Sequence, residues 1–266
     1  MPPQGYFTDA SPLRRVVGDR MTALSGPRAL LLMAAHPVAF AGFFAHTGAL
    51  EDPYARLERT AKVMNAVAFD TRERADRLTA HVRAMHRRVR GELSEPAGRF
   101  PAGIPYRADD PELLLWILAA LAESAMLVYR RYVRAIDRAE QDALWRDYRV
   151  VGRQFGLAGA EMPATIGDFE DYMAAMYASG DLVVTPAARA LGIEIVMHPP
   201  APLAMRPVVE LVNQITVGLL PRDVRRQYGL RWDPLRSVAV RGGAEYVRRV
   251  LVPVLPDRLR MIPVAR

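Results

Sequence analysis

The stretch DTRERADRLTAHVRAMHRRVRG, residues 70–91, is the most clearly marked helix in the sequence. Asp70 is a preferred N-cap residue, Glu73 follows three positions later as in a capping box, and Gly91 can close the helix in a left-handed C′ conformation. Between them, apolar residues recur at steps of three and four, namely Ala75, Leu78, Val82, Met85 and Val89. This spacing predicts an amphipathic helix that packs against a core.

This helix also carries two histidines, His81 and His86. At about 100° per residue, His86 projects within roughly 50° of the centre of the apolar stripe, whereas His81 lies about 90° away. We therefore expect His86 to point inward. A buried imidazole needs a partner, because burying a polar group alone costs about 1–3 kcal/mol.

Two interpretations of His86 stay open at this point. It is either a core histidine bonded to a backbone carbonyl or a ligand of a metal or haem. Nearby arginines that can pair with carboxylates such as haem propionates are Arg83, Arg87, Arg88 and Arg90.

The composition favours a helical protein with one large domain. The chain has 266 residues, of which 51% are hydrophobic and only 8% aromatic, and no low-complexity linker divides it. We predict a flexible N-terminal arm over residues 1–20 and a single all-α domain over residues 21–266. Cysteine is absent, which excludes disulfides, thiolate metal sites and cysteine nucleophiles.

The net charge of +7 does not indicate a nucleic-acid partner. The basic residues, all arginine except Lys62, are spread along the chain among 29 acidic residues, and no basic run is interleaved with aromatics. A Gly-rich phosphate loop, a GxSxG elbow and an HExxH pair are also missing from the sequence. His81 and His86 are five residues apart and therefore do not form a two-histidine chelate on a helix.

Residues 29–50 form a stretch without a charged residue that is long enough to cross a bilayer. His36, Pro37, Gly42 and His46 put polar groups and a break inside it, so we predict a buried, broken segment instead. A peripheral contact with a membrane surface stays open as the alternative. We expect His36 to lie at a helix end rather than to serve as a ligand, and the protein to be cytoplasmic, with membrane association left open.

Several other helices have clear signals. Asp52 and Pro53 open a helix that runs to Phe69, with Arg56 and Thr60 on one side of it next to the apolar face. Asp110 and Pro111 start an apolar helix that should be central. Further helices are predicted over residues 137–155, 167–178 and 206–220, and a short strand over residues 193–197.

Five blocks of the sequence, taken in order, resemble the MpaB-type oxygenase family, which includes the latex clearing proteins (rubber oxygenases). The similarity covers residues 26–236. The blocks are RALLLMAAHPVAFAGFFAHTGALEDPYARLERTAKVMNAVAF (28–69), VRAMHRRVRG (82–91), YRADDPELLLWILAALAESAM (106–126), MPATIGDFEDYMAAM (162–176) and GLLPRDVRRQYGLRWDPLR (218–236).

The resemblance implies an all-helical fold with a globin-like core and a haem b cofactor. The family's proximal histidine, the iron ligand, corresponds to His86, and O₂ would bind on the opposite face of the iron. The family's Arg and Thr, four apart on an earlier helix, correspond to Arg56 and Thr60. Arg59 occupies the position of a distal lysine found in some rubber oxygenases. The resemblance thus implies catalytic roles for Arg59 and Thr60, and cofactor contacts for Arg56, Thr60 and Arg90, with Arg56 or Arg90 near the propionates.

The sequence departs from the family in the central helix. Where family members often have Trp-x-His-Ala-Thr-Leu, this chain has WILAAL (116–121), with Leu118 and Ala120 in place of the histidine and threonine. This change makes the predicted pocket more apolar. We keep two hypotheses: a haem-dependent oxygenase that acts with O₂ on a hydrophobic small-molecule or lipid-like substrate, and a non-catalytic helical protein that binds a lipid or a partner.

Overall fold

A computed structural model describes residues 5–45 and 53–263, without the side chains of residues 43–45, 53 and 56. The described residues are mainly helical, which confirms the all-α prediction. The only sheet among them is a two-stranded antiparallel pair. The helices are α1 (Pro12–Gly18), α2 (Ser25–Ala34), α3 (Pro37–Ala45), α4 (Pro53–Phe69), α5 (Arg72–His86), α6 (Pro111–Val128), α7 (Arg138–Phe155), α8 (Ile166–Ala178), α9 (Pro186–Met197), α10 (Arg206–Leu219), α11 (Arg222–Gln227), α12 (Pro234–Tyr246), α13 (Val252–Val254) and α14 (Asp257–Arg260), and the strands are β1 (Arg90–Glu92) and β2 (Pro105–Arg107).

Helix α6 forms the centre of the fold, as its uniformly apolar sequence predicts. The Asp110 carboxylate accepts hydrogen bonds from the backbone N–H groups of Glu112 and Leu113 at 2.9 and 3.4 Å. The helix packs against α1, α2, α3 and α7. Helix α6 and the turn that follows it, residues Pro111–Val133, are long and apolar enough to cross a membrane. However, 61% of the most apolar 18-residue stretch is buried inside the protein. A helix in the core of a protein can have the same length and composition.

The uncharged stretch that begins at residue 29 is broken and buried over its described part, as predicted. Helix α2 ends at Ala34, and α3 begins at Pro37. Leu31 and Leu32 are fully buried. His36 lies at the break, where its Nδ1 accepts a hydrogen bond from the backbone N–H of Ala39 at 3.2 Å. Residues 46–50, including His46, lie outside the described residues.

Helix α5 begins and ends at different residues from those predicted. Thr71 is its N-cap, because the Thr71 hydroxyl accepts the Arg74 N–H, while the Asp70 carboxylate pairs with the Arg74 side chain at 3.2 Å. The helix ends at His86, and Gly91 lies in β1 opposite Tyr106. Strand pairing with a distant segment therefore replaces the C-cap that the local sequence indicated.

The predicted apolar stripe of α5 is only partly buried. Ala75 is inaccessible to solvent, but Met85 is 49% exposed. Leu78, Val82 and Val89 have intermediate exposure.

Two further predictions differ from the structure. Residues 193–197, predicted as a strand, belong to helix α9. Residues 12–18, predicted to lie in a flexible arm, form helix α1 with Leu13 and Val16 buried. The Asp147 carboxylate on α7 accepts the Leu13 N–H at 3.1 Å, so a long-range contact fixes this segment.

Candidate functional site

The candidate site lies on α4, α5 and β1. Helices α4 and α5 pack against each other through the second half of α4, where Val67 and Ala68 are buried. The first half of α4 is largely exposed, and both Arg59 and Thr60 are exposed there. The Arg56 side chain lies outside the described residues, so its predicted role stays a prediction.

His86 occupies the last position of α5. The residue is partly buried, and its Nδ1 atom is inaccessible to solvent. One turn earlier, Arg83 donates hydrogen bonds to the Gln154 carbonyl near the end of α7 and to the Thr79 hydroxyl. These contacts fix the end of α5 on α7. His81, by contrast, is exposed.

Helix α3 and the two strands enclose the segment that follows His86. Glycine permits this close approach: a Cβ atom at Gly42 would lie 2.9 Å from Val89 Cγ1, and one at Gly91 would lie 2.6 Å from the Tyr106 hydroxyl. Arg90 is exposed on β1, and its Nε donates to the Arg87 carbonyl at 3.1 Å. Arg90 is thus the first residue of β1, the strand that follows α5.

Large apolar side chains are exposed on both helices of the candidate site. Leu57 on α4 is 39% exposed, and Met85 on α5 is 49% exposed. Among the side chains described before residue 203, these are the two large hydrophobic ones that the structure leaves exposed. Met85 directly precedes His86, so the end of α5 exposes an apolar side chain.

The described part of the site offers few ligands for a bare metal ion. Within residues 5–45 and 53–263, no three His, Asp or Glu side chains are grouped so that they could hold a metal ion. A porphyrin brings four equatorial nitrogen ligands of its own, and a single imidazole from the protein is one of the ligands that can hold its iron. His86 is the imidazole at the end of α5, and Arg90 is a cation on the strand that follows.

The two departures in the central helix are part of the packed core. Leu118 and Ala120 are buried in α6. A Cβ atom at Gly152 of α7 would lie 2.8 Å from Leu118 Cδ2, so Leu118 fills the space between the two helices. Two positions that are often polar in the resembled family therefore hold apolar packing here.

His36 and Trp116 line another part of the core, and their ring centroids are 6.5 Å apart. The His36 ring also lies 5.4 Å from that of Phe100. Burial lowers the pKa of His36; nearby Asp181 opposes this shift, and Arg99 adds to it. With Nδ1 already engaged as a helix cap, His36 acts as a structural residue, in line with the prediction that it is a helix-end residue.

Sequence reasoning missed a buried ion pair. Arg28 on α2 donates to Glu123 at 2.7 Å, to the Ser124 hydroxyl at 2.6 Å and to the Leu219 carbonyl at 2.8 Å. The Tyr177 hydroxyl donates to the same Glu123 carboxylate at 2.6 Å, and burial raises the pKa of Tyr177. The signal was present, since Arg28, Glu123 and Ser124 are polar residues in otherwise apolar helices.

A cavity of about 300 Å³ lies away from the candidate site, between α9, α10 and the start of α12. Its lining combines apolar side chains, including Ile193 and Val217, with polar ones, including His198 and Arg231. None of the predicted site residues lines it.

The comparisons with known proteins give one match. No curated protein and no solved structure matches the chain. Residues 14–249 match the family described as ER-bound oxygenase mpaB/B′/rubber oxygenase, catalytic domain. This match spans nearly the whole chain, including every element of the candidate site. The chain therefore belongs to the family of mpaB and rubber oxygenase catalytic domains.

Proposed function

We propose that this protein is a haem b-dependent oxygenase-type oxidoreductase that acts on a hydrophobic substrate. The observation that carries the proposal is the end of α5, where a single imidazole with an enclosed Nδ1 lies beside exposed Met85. Exposed Leu57 on the packed neighbour α4 adds apolar surface for a flat, apolar cofactor. Membership in an oxygenase family supports the reaction class.

In this proposal each residue has a role that its chemistry suits. The His86 imidazole would be the protein ligand that holds the iron. Arg56 and Arg90 neutralise the propionates, since guanidinium groups form strong charge-assisted hydrogen bonds with carboxylates. Haem, when bound, supplies an iron centre that reacts with dioxygen.

Arg59 and Thr60 lie beside each other on α4 and differ in what they can do. A guanidinium carries five donors and no acceptor, so Arg59 acts as a permanently cationic hydrogen-bond donor and does not transfer protons. The Thr60 hydroxyl both donates and accepts, so it can orient a polar group of the substrate. Leu57 and Met85 provide the apolar contact that favours a hydrophobic substrate.

The test of the cofactor compares two histidines of the same helix. We expect His86→Ala to abolish stoichiometric haem binding and the Soret absorption of the reconstituted protein, because the iron loses its protein ligand. His81→Ala removes an exposed imidazole five residues away and should leave the spectrum unchanged. A normal haem spectrum in the His86 variant would refute the assignment.

A second candidate function is a non-catalytic protein that keeps the fold and binds a lipid or a partner. The observation that favours it is the apolar packing of Leu118 and Ala120 at positions that are often polar in the resembled family. Oxygen consumption by the haem-loaded protein, with dispersed polyisoprene as a probe substrate, separates the two. Consumption that depends on both polyisoprene and His86 supports the oxygenase. Stoichiometric haem without consumption on polyisoprene or shorter unsaturated hydrocarbons favours the second function.

A further inference from the structure

The C-terminal part of the chain exposes an unusual amount of apolar surface. Of the thirteen large hydrophobic side chains that the structure shows as exposed, eleven follow residue 202. Leu203, Leu235 and Val254 are 75%, 79% and 73% exposed. Scattered exposed hydrophobics are normal on a protein surface, but a concentration of them in one region marks an interaction site.

Helix α12 concentrates part of this surface on one face. Its exposed positions Leu235, Val238, Ala239, Gly242 and Tyr246 fall within an arc of about 100° at 100° per residue. The opposite face packs on the protein, since Ala244 is buried and Val240 lies 3.5 Å from where a Cβ of Gly218 on α10 would be. The helix therefore has one partnered face and one apolar face without a partner among the described residues.

A second exposed apolar segment adjoins α12. The short 3₁₀ turn before α10 and the first turns of α10 expose Leu203, Met205, Val208 and Leu211. Helices α10 and α12 pack against each other, so this segment belongs to the same region of the surface as the stripe. We call these residues, together with the exposed stripe of α12, the α10–α12 face.

The charge of this region indicates what covers the face. Residues 203–263 contain eleven arginines and five acidic residues, a formal charge of +6, whereas the whole chain carries +7. Arg236 and Arg241 lie on α12 about 60° beyond either edge of the stripe, and Arg236 also pairs with Asp233 at 3.2 Å. An apolar helix face bordered by arginines is typical of helices that lie in the plane of an anionic membrane surface.

A second copy of the chain fits this face less well. A symmetric contact would bring two regions of charge +6 together, and like charges across an interface oppose association. An anionic bilayer instead attracts each basic residue near its surface and accepts the apolar side chains between its headgroups.

We propose that the α10–α12 face binds the surface of an anionic phospholipid bilayer. Leu235 and Val238 enter the headgroup region, and Arg241 pairs with lipid phosphates. This proposal does not depend on haem binding. For an enzyme with a hydrophobic substrate, it also brings the protein to the phase in which such substrates dissolve.

The test is co-sedimentation of the full chain with vesicles. We expect it to bind vesicles of phosphatidylcholine and phosphatidylserine, to bind pure phosphatidylcholine much more weakly, and to dissociate as salt is raised. Leu235→Ser with Val238→Ser should weaken binding by about tenfold or more, because two apolar side chains no longer leave water. Arg241→Gln should weaken binding to the anionic vesicles, while the control Arg146→Gln, an exposed arginine on α7, should not.

Circular dichroism and size-exclusion chromatography complete the design. Both stripe residues are exposed, so the double variant should keep the wild-type helical signal. Absence of binding to anionic vesicles, or equal binding by the wild type and the folded double variant, would overturn the proposal. A wild-type dimer that the double variant converts to a monomer, without vesicle binding by either, would assign the face to a second copy.

Discussion

His36 caps helix α3 with a nitrogen that must stay unprotonated to do so. Its Nδ1 accepts the Ala39 N–H, which a neutral imidazole permits, whereas an imidazolium has only donors. The ring is buried, and this burial lowers the His36 pKa below 6.5. Protonation of a single buried residue would therefore remove the cap and place a charge in the core.

This residue makes the stability of the fold depend on pH. Because the folded-state pKa of His36 is lowered, the unfolded chain binds more protons once the pH falls below about 6.5. The contribution of His36 is thus fully present above that pH and is lost as the pH falls towards the folded-state pKa, by at most about 1.4 kcal/mol per pH unit.

His36→Asn keeps a capping side chain and removes the titration. We expect the free energy of unfolding of the wild type to fall more between pH 7.5 and pH 5.5 than that of the variant, as measured by urea unfolding at both values. Asp19 and Asp147, whose pKa values burial raises, are present in both proteins, so the comparison isolates His36. Parallel pH profiles would contradict this account.

Among the secondary-structure elements, the buried ion pair ties helices together. Arg28 on α2 contacts α6 through Glu123 and Ser124 and the end of α10 through the Leu219 carbonyl. Tyr177 on α8 joins through Glu123. The Arg28 side chain is 3% exposed and the Glu123 side chain is 25% exposed, so solvent reaches the carboxylate but hardly reaches the guanidinium group.

We expect Arg28→Met to lower the free energy of unfolding by about 3 kcal/mol, because it leaves a largely buried carboxylate without its cation. The double variant Arg28→Met, Glu123→Leu should recover part of this loss. The matched control is Arg138→Met, which breaks an exposed pair with Glu170 and should cost less than about 1 kcal/mol. Urea unfolding of the three variants checks this, and equal losses for Arg28→Met and Arg138→Met would refute it.

Local sequence signals predicted where helices occur better than they predicted the residues at which the helices begin and end. Asp110 starts α6 as expected, the predicted helix over residues 137–155 is present with Asp137 as its N-cap, and Gly156 ends it with a φ of +107°. Helix α5 ends at His86 because the residues after it pair with β2, whose residues are 13 to 17 positions further along the chain. The Ile193–Met197 run is apolar enough for a strand, but it lies inside a helix that Thr185 caps.

The candidate site was predictable only in part, for a related reason. The apolar spacing of α5 separated His86 from His81, and the structure gives the two residues different exposure. The spacing also predicted that Met85 faces a core, but Met85 is exposed. A periodic pattern shows which residues avoid water, but it does not show whether protein or a ligand covers them. The globin-like haem core stays a prediction.

At the scale of the whole molecule, haem binding should stabilise the fold by mass action. A ligand that binds only the folded state at a thousand times its Kd adds about 4 kcal/mol to the free energy of unfolding. For a chain of this size we expect the Tm to rise by about 10 °C.

The increase should be present in the wild type and in His81→Ala and absent in His86→Ala, with all three compared as apoproteins and after haem addition by scanning calorimetry. An equal increase in His86→Ala would indicate non-specific haem adsorption, and no increase in the wild type would contradict a haem site in the folded protein. Because this measurement needs no substrate, it tests the cofactor independently of the reaction, and the intact Tm of each apoprotein shows that the substitutions left the fold in place.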